Sequence, residues 1–179
     1  PVGERIRILI TGGSQGARVF ATLVPEAIAK LPDDVRKRVS LTQQCRPEDL
    51  EAAKARYAAM GLQPTLASFF TDMGERLSAA HLVISRAGAS TVTELCAVGR
   101  PSILIPYPFA MDDHQSVNAG QLAADGAAWA FKEADLTADQ LAAKVTELAQ
   151  NPVLLEAAAA KALSLGRSDA ASRLADLVD

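Results

Sequence analysis

Three segments of this chain place small residues, hydroxyls and amides where a backbone could wrap an anionic or polyhydroxy ligand. The first is Gly12-Gly13-Ser14-Gln15-Gly16-Ala17. Glycines let a chain turn sharply and approach a ligand closely. A helix start behind them offers unpaired N–H groups and a partial positive charge to phosphate or sugar oxygens. The Ser14 hydroxyl can donate to a phosphate or cap the helix. The segment has neither the G-x-G-x-x-G spacing of a dinucleotide fingerprint nor the lysine of a P-loop. A tight strand-to-helix turn without ligand therefore fits it as well.

The second segment, Arg86-Ala87-Gly88-Ala89-Ser90-Thr91-Val92-Thr93-Glu94, is another candidate cradle for anionic oxygen. Glu94 falls about one turn into the following helix, where a carboxylate can accept two hydrogen bonds from a vicinal diol such as a ribose. Thr91-Val92-Thr93-Glu94 also fits a capping box, in which Glu94 only satisfies a backbone N–H. On spacing both readings stand. The third segment runs from Pro106 to Asn118. Gln115 and Asn118 fall close to a helix start, and their amides can bond sugar hydroxyls as donor and acceptor together. Asp112-Asp113 can be read as metal ligands or as a helix-start signal. His114 can be read as a base, for which no partner is identifiable, or as a helix-start histidine.

Loops of this kind work only if regular elements aim them. Apolar, β-branched runs predict strands over 6–11, 39–43, 65–69, 82–85, 102–105 and 127–131. Helical patterns predict helices over 17–30, 47–60, 73–79, 91–98, 115–125, 138–150, 153–165 and 170–178. Runs such as LVIS and SILIP are apolar throughout instead of alternating, as parallel strands covered on both faces are. Strand–helix alternation then predicts an open, doubly wound α/β sheet, whose ligands bind at the carboxyl ends of the strands. Pro47 and Pro152 suit helix first turns, and Gly61 and Gly99 suit left-handed helix ends.

The chain has 179 residues, 49% hydrophobic and 22% charged, with a formal charge of −3. That suits one soluble globular domain, and the absence of a basic run argues against a nucleic-acid partner. Cys45 and Cys96 match no metal spacing and are expected as reduced thiols of a cytoplasmic protein. No apolar run approaches the roughly 18 residues of a membrane span, and no signal peptide precedes the first strand. The first residue is Pro1, and the expectation is a piece of a longer protein.

Taken together and in this order, residues 12–18, 69–73, 86–94 and 112–118 resemble the C-terminal half of the undecaprenyl-diphospho-muramoylpentapeptide N-acetylglucosaminyltransferases (glycosyltransferase family 28). The resemblance covers nearly the whole chain. It implies the GT-B architecture, two Rossmann-like halves facing a cleft, with this chain as the half that binds UDP-N-acetylglucosamine. The other half would receive the lipid-linked acceptor, contact the membrane and carry the base, so no catalytic residue is expected here and membrane contact is indirect. By similarity Ser14, between Gly13 and Gln15, faces the donor. Phe70 matches a position whose backbone reads uracil. Ala89, Ser90 and Thr91 match a phosphate-contacting helix start, and Glu94 an acidic residue holding the ribose hydroxyls. Gln115 matches a glutamine on the sugar hydroxyls, with Asn118 nearby. His114 stands where the family often has a further glutamine. The implied function is the donor side of an inverting transfer on the cytoplasmic face of the bacterial inner membrane, with no metal or other cofactor. The alternatives are a UDP-sugar epimerase of similar architecture and a non-catalytic subunit of a split transferase.

Overall fold

Strands that bury both faces build the centre of the molecule. The computed structural model describes residues 5–13, 17–110 and 113–175. Its strands are β1 (Ile6–Thr11), β2 (Val39–Gln44), β3 (Thr65–Ala67), β4 (Leu82–Ser85), β5 (Ser102–Leu104) and β6 (Ala128–Ala130). They form one six-stranded sheet in the order β3-β2-β1-β4-β5-β6, and every pairing is parallel. The order is Rossmann-like, within the parallel, doubly wound sheet that the apolar runs and the strand–helix alternation predict.

Alternation sorts the strand side chains into two cores. Ile6, Ile8, Ile10, Leu82, Ile84 and Ile103 face one layer, and Leu9, Val83 and Leu104 face the other. The helices are α1 (Phe20–Ala29), α2 (Asp33–Arg36), α3 (Leu50–Ala59), α4 (Met73–Ala79), α5 (Ala89–Val98), α6 (His114–Ala124), α7 (Ala138–Gln150) and α8 (Pro152–Ala175). Helices α1 and α7 cover the first layer with Phe20, Val24, Leu141 and Val145. Helices α5 and α6 cover the second with Leu95, Ala119 and Leu122.

Several boundaries moved from their sequence-based positions for local reasons. Helix α1 opens at Phe20 rather than residue 17 and contains Pro25. A proline has no N–H for the carbonyl four residues back. Arg56, on α3, donates to that Ala21 carbonyl at 3.3 Å. The third strand stops at Ala67, leaving Phe69 outside the sheet. Residues 33–36 form a short helix that no pattern announced. The two last predicted helices are one, Pro152–Ala175. Gly166 lies in the gap between the two predicted helices, and in the structure it permits a close approach. A Cβ there would stand 2.5 Å from the Cys96 carbonyl oxygen at the end of α5.

That contact yields a stability prediction. In an open helix Gly→Ala stabilises by about 1 kcal/mol. Gly166→Ala should instead destabilise by about 1–3 kcal/mol, because the obstacle is backbone and overpacking forces it to shift. Urea unfolding of the two proteins measures the sign directly.

Cys45 and Cys96 are free and buried. Burial, assisted by the charge of Asp49, pushes the Cys45 thiol up to about 11, which leaves it unreactive. Among the described residues, no helix is long and apolar enough to cross a membrane.

Candidate functional site

Strand order reverses between β1 and β4, and the crevice outside their carboxyl ends is where such sheets take ligands. The register brings Thr11 opposite Ser85, so the loops after both strands open side by side. Between them lies a cleft of two lobes. The larger, about 510 Å³, is lined by Gly12, Gly13, Arg86, Gly88 and Gln115. The smaller, about 310 Å³, is lined by Gln44, Phe69, Phe70, Met73 and Glu94. Gly13, Ser90 and Thr91 line both, so the start of α5 is the shared wall.

That helix start is bare. Its N-cap is Gly88, no side chain caps it, and its first turn holds no acidic residue. The orphan N–H groups and the positive end of the helix dipole therefore face the cleft uncompensated. By contrast α7 carries a reciprocal capping box between Thr137 and Gln140. Because α5 begins at Ala89, Thr91 is already inside it, and Glu94 is too far along to cap. The capping-box reading of Thr91-Val92-Thr93-Glu94 is thus overturned by where the helix starts. Glu94 is exposed and makes no hydrogen bond or ion pair among the described residues.

In the smaller lobe Phe70 is buried under the Arg76 guanidinium, which lies 4.2 Å from its ring centroid. Asp72 holds Arg76 in place by accepting from its Nε at 2.8 Å. The Phe70 backbone N–H and C=O have no partner among the described residues. Phe69 projects outward, 72% exposed. Beneath this lobe a hydrogen-bond chain ties three strand ends together. Gly13 N–H donates to Thr11 Oγ1, Thr11 Oγ1 to Gln44 Oε1 at 2.8 Å, and Gln44 Nε2 to the Ser68 carbonyl. Gly13 itself adopts a φ of 74°, which glycine takes without strain.

In the larger lobe the first turn of α6 does something the sequence did not announce. Gln115 Oε1 accepts from the N–H groups of Ala87 and Tyr107, at 3.2 and 3.0 Å. Both partners are donors, so the amide orientation is forced. Asn118 Nδ2 donates to the Ala87 carbonyl at 3.0 Å. The two side chains clamp the Ala87 backbone from both sides and hold the loop after β4 against the loop after β5. The carbonyl of Gln115 is therefore occupied, and only its Nε2 hydrogens remain for a ligand. Gln115→Ala should destabilise by about 1–3 kcal/mol, since it strips two N–H groups of their acceptor. Gln115→Glu, which keeps an acceptor in place, should lose less; thermal unfolding of both variants separates them.

Arg86 was not singled out as a ligand and is the most constrained cation of the site. It is 8% exposed, donates from Nη1 to the carbonyls of Ile105 and Pro106 at 3.1 Å each, and lies 2.5 Å from the Glu133 carboxylate. Its guanidinium sits 5.2 Å from the Phe20 ring centroid and 5.3 Å from that of Tyr107. Only its position next to the Gly88 turn could have hinted at this.

Of the other expected residues, Ala89 is the exposed first residue of α5, and Asn118 lies outside both lobes. Asp113 is the N-cap of α6, in a left-handed conformation and without a side-chain cap bond, and His114 is the first residue of that helix. Ser14, Gln15 and Asp112 lie outside the described residues. Among the described residues no three His, Cys, Asp or Glu side chains converge as metal ligands.

A cleft built from these segments has known counterparts. The model of the glycosyltransferase family 28 C-terminal domain matches residues 7–174. The chain belongs to that family. It is 55% identical over 176 residues to the UDP-N-acetylglucosamine--N-acetylmuramyl-(pentapeptide) pyrophosphoryl-undecaprenol N-acetylglucosamine transferase of Rhodospirillum centenum. It is 56% identical over 176 residues to the enzyme of the same name from Rhodospirillum rubrum. Each alignment covers 98% of this chain and 46% of the relative, so the chain spans just under half the length of the curated relatives it matches. The crystal structure of Acinetobacter baumannii MurG superposes with a TM-score of 0.80 at 36% identity, covering 88% of this chain and 47% of that one. The glycotransferase of kitacinnamycin shares the fold, with a TM-score of 0.70 at 24% identity over 99% of this chain and 43% of its own.

Proposed function

We propose that this family 28 domain is the donor-binding half of an inverting transferase that moves N-acetylglucosamine from UDP-N-acetylglucosamine to undecaprenyl-diphospho-muramoylpentapeptide. One observation carries the reading: the uncapped start of α5 separates a lobe bearing Phe70 and Glu94 from a lobe bearing Gln115. That order suits a nucleoside, a diphosphate and a sugar in sequence. The unpaired Phe70 backbone edge would read the uracil, with Phe69 available to cover its face. The Glu94 carboxylate would accept from the ribose hydroxyls. The N–H groups of Ala89, Ser90 and Thr91 would hold the diphosphate, with Gly13, Ser14 and Gln15 approaching from the first loop. Gln115 Nε2 would donate to the sugar, and Asn118 would act through the loop it clamps.

In the transfer, an acceptor hydroxyl attacks the anomeric carbon, the bond from that carbon to the diphosphate oxygen breaks, and UDP leaves with the electron pair. Charge grows on the diphosphate as the bond breaks, and preorganised helix-start N–H groups stabilise it without a metal. The base that takes the acceptor proton and the acceptor site belong to a second half, facing this cleft. The names of the relatives support the choice of donor and acceptor.

Calorimetry on the 179-residue chain is expected to give binding of both UDP and UDP-N-acetylglucosamine, unchanged by EDTA, and no transfer to a lipid-linked acceptor. Transfer by the chain alone would overturn the division of labour. Loss of binding in EDTA with recovery in magnesium would overturn the metal-free site, and epimerised donor in the absence of acceptor would favour an epimerase.

A further inference from the structure

At the edge of the sheet opposite the cleft, the strands begin among basic residues. Register pairs Ile8 with Leu82 and Val83 with Ser102. Carried back, the same register sets Arg7 opposite His81, one step before Ile8 and Leu82, and His81 opposite Arg100, two steps before Val83 and Ser102. Side chains at one register position share a face, and like charges opposite one another weaken a sheet. Such a row is stable only to the extent that something negative completes it.

The hydrogen bonding of the row is incomplete in a specific way. Arg7 N–H donates to His81 Nδ1 at 3.1 Å, and Arg7 Nη2 lies 2.9 Å from His81 Nε2. A neutral imidazole carries its proton on one ring nitrogen and accepts only at the other. Whichever nitrogen is protonated, one of these contacts sets two N–H groups against each other. Arg100 Nε is shielded from solvent and has no partner. The Ala79 carbonyl at the end of α4 takes the Arg7 Nε proton at 2.6 Å. Among the described residues no carboxylate pairs with any of the three side chains. Burial, then the charges of Arg7, the amino terminus and Arg100, hold His81 below the ordinary histidine value, and burial followed by Arg7 lowers Arg100.

We propose that Arg7, His81 and Arg100 form a binding site for a phosphate-type oxyanion, supplied either as a soluble phosphate or as the phosphodiester of an anionic lipid headgroup. An oxyanion has lone pairs enough to accept from Arg7 Nη2, from His81 Nε2–H and from the Arg100 guanidinium together. It removes the donor–donor conflict between Arg7 Nη2 and His81 Nε2–H. His81 stays neutral, with Nδ1 accepting from Arg7 N–H and Nε2–H donating to the anion. The site lies at the amino ends of the strands whose carboxyl ends hold the cleft, so it does not compete with nucleotide.

The chain has two histidines, His81 and His114, so ring proton resonances report on the site and His114→Gln assigns them. Titration with inorganic phosphate at constant pH, against chloride at equal ionic strength, should shift the His81 ring resonances to saturation. Arg100→Gln should remove the shift, while its unfolding midpoint holds or rises because a repelling charge is gone. Sedimentation with phosphatidylglycerol vesicles, against phosphatidylcholine, distinguishes the sources. Retention on the anionic vesicles that Arg7→Gln and Arg100→Gln abolish assigns a headgroup. A phosphate shift without retention assigns a soluble anion. The proposal is overturned if neither is seen, or if the phosphate shift survives in Arg100→Gln and is therefore general screening.

Discussion

Ser90→Asp is expected to remove most nucleotide affinity while leaving the domain at least as stable as before. Ser90 is exposed at the second position of α5, whose first turn has no acidic residue and no side-chain cap. A carboxylate there complements the helix dipole and should add about 0.3–1 kcal/mol of stability. The same carboxylate occupies the potential that a diphosphate would use. Two unit charges about 4 Å apart repel by about 4 kcal/mol at an effective dielectric constant near 20. UDP should therefore bind roughly a hundred- to a thousand-fold more weakly. Uridine, lacking the phosphates, should bind both proteins alike, and Ser90→Asn controls for size. Calorimetry with a melting curve on each preparation gives every term. A variant that melts higher and still binds UDP with wild-type affinity would show that the anion sits elsewhere.

Glu94→Ala should abolish the preference for ribose. The carboxylate lines the smaller lobe and is unpaired among the described residues. A hydrogen bond to a charged group contributes about 1.5–3 kcal/mol, so the wild-type domain should prefer UDP over its 2′- or 3′-deoxy analogue by about ten- to a hundred-fold. In Glu94→Ala that margin should nearly vanish, because the group that senses the hydroxyl is gone. Stability should change little, since Glu94 caps no helix. A variant that discriminates between the analogues as well as wild type does would place the ribose out of reach of Glu94.

The two substitutions act on neighbouring parts of one cleft, and their effects need not add. Both lie on α5, Ser90 in the wall shared by the lobes and Glu94 in the smaller lobe. The double variant therefore tests whether base, ribose and phosphates are held as a unit. UDP is the probe in each case because it carries all three groups without the sugar.

Much of the fold was legible in the residues. Continuous apolar runs such as Leu82–Ser85 announce a strand buried on both faces, and strand–helix alternation then leaves few arrangements other than a parallel, doubly wound sheet. Gly61 and Gly99 mark helix ends that do adopt positive φ, at 70° and 61°. These signals are short-range, and neighbouring residues carry them in full. The loops that form the cleft were legible for the same reason, since each follows a strand directly.

Tertiary structure decided what depends on partners far away in the sequence. Whether Glu94 caps α5 depended on where that helix begins, and Gly88 as N-cap places the start at Ala89. Gln115 and Asn118 read as free amides, yet their partners at Ala87 lie 28 and 31 residues away. Gly166 lies in the gap between two predicted helices, and only the fold places the Cys96 carbonyl against it. Arg7, His81 and Arg100 become neighbours only through strand register. Periodicity and propensity describe what a segment prefers alone; strand order and register set which side chains meet, and a hydrogen bond needs both of its ends.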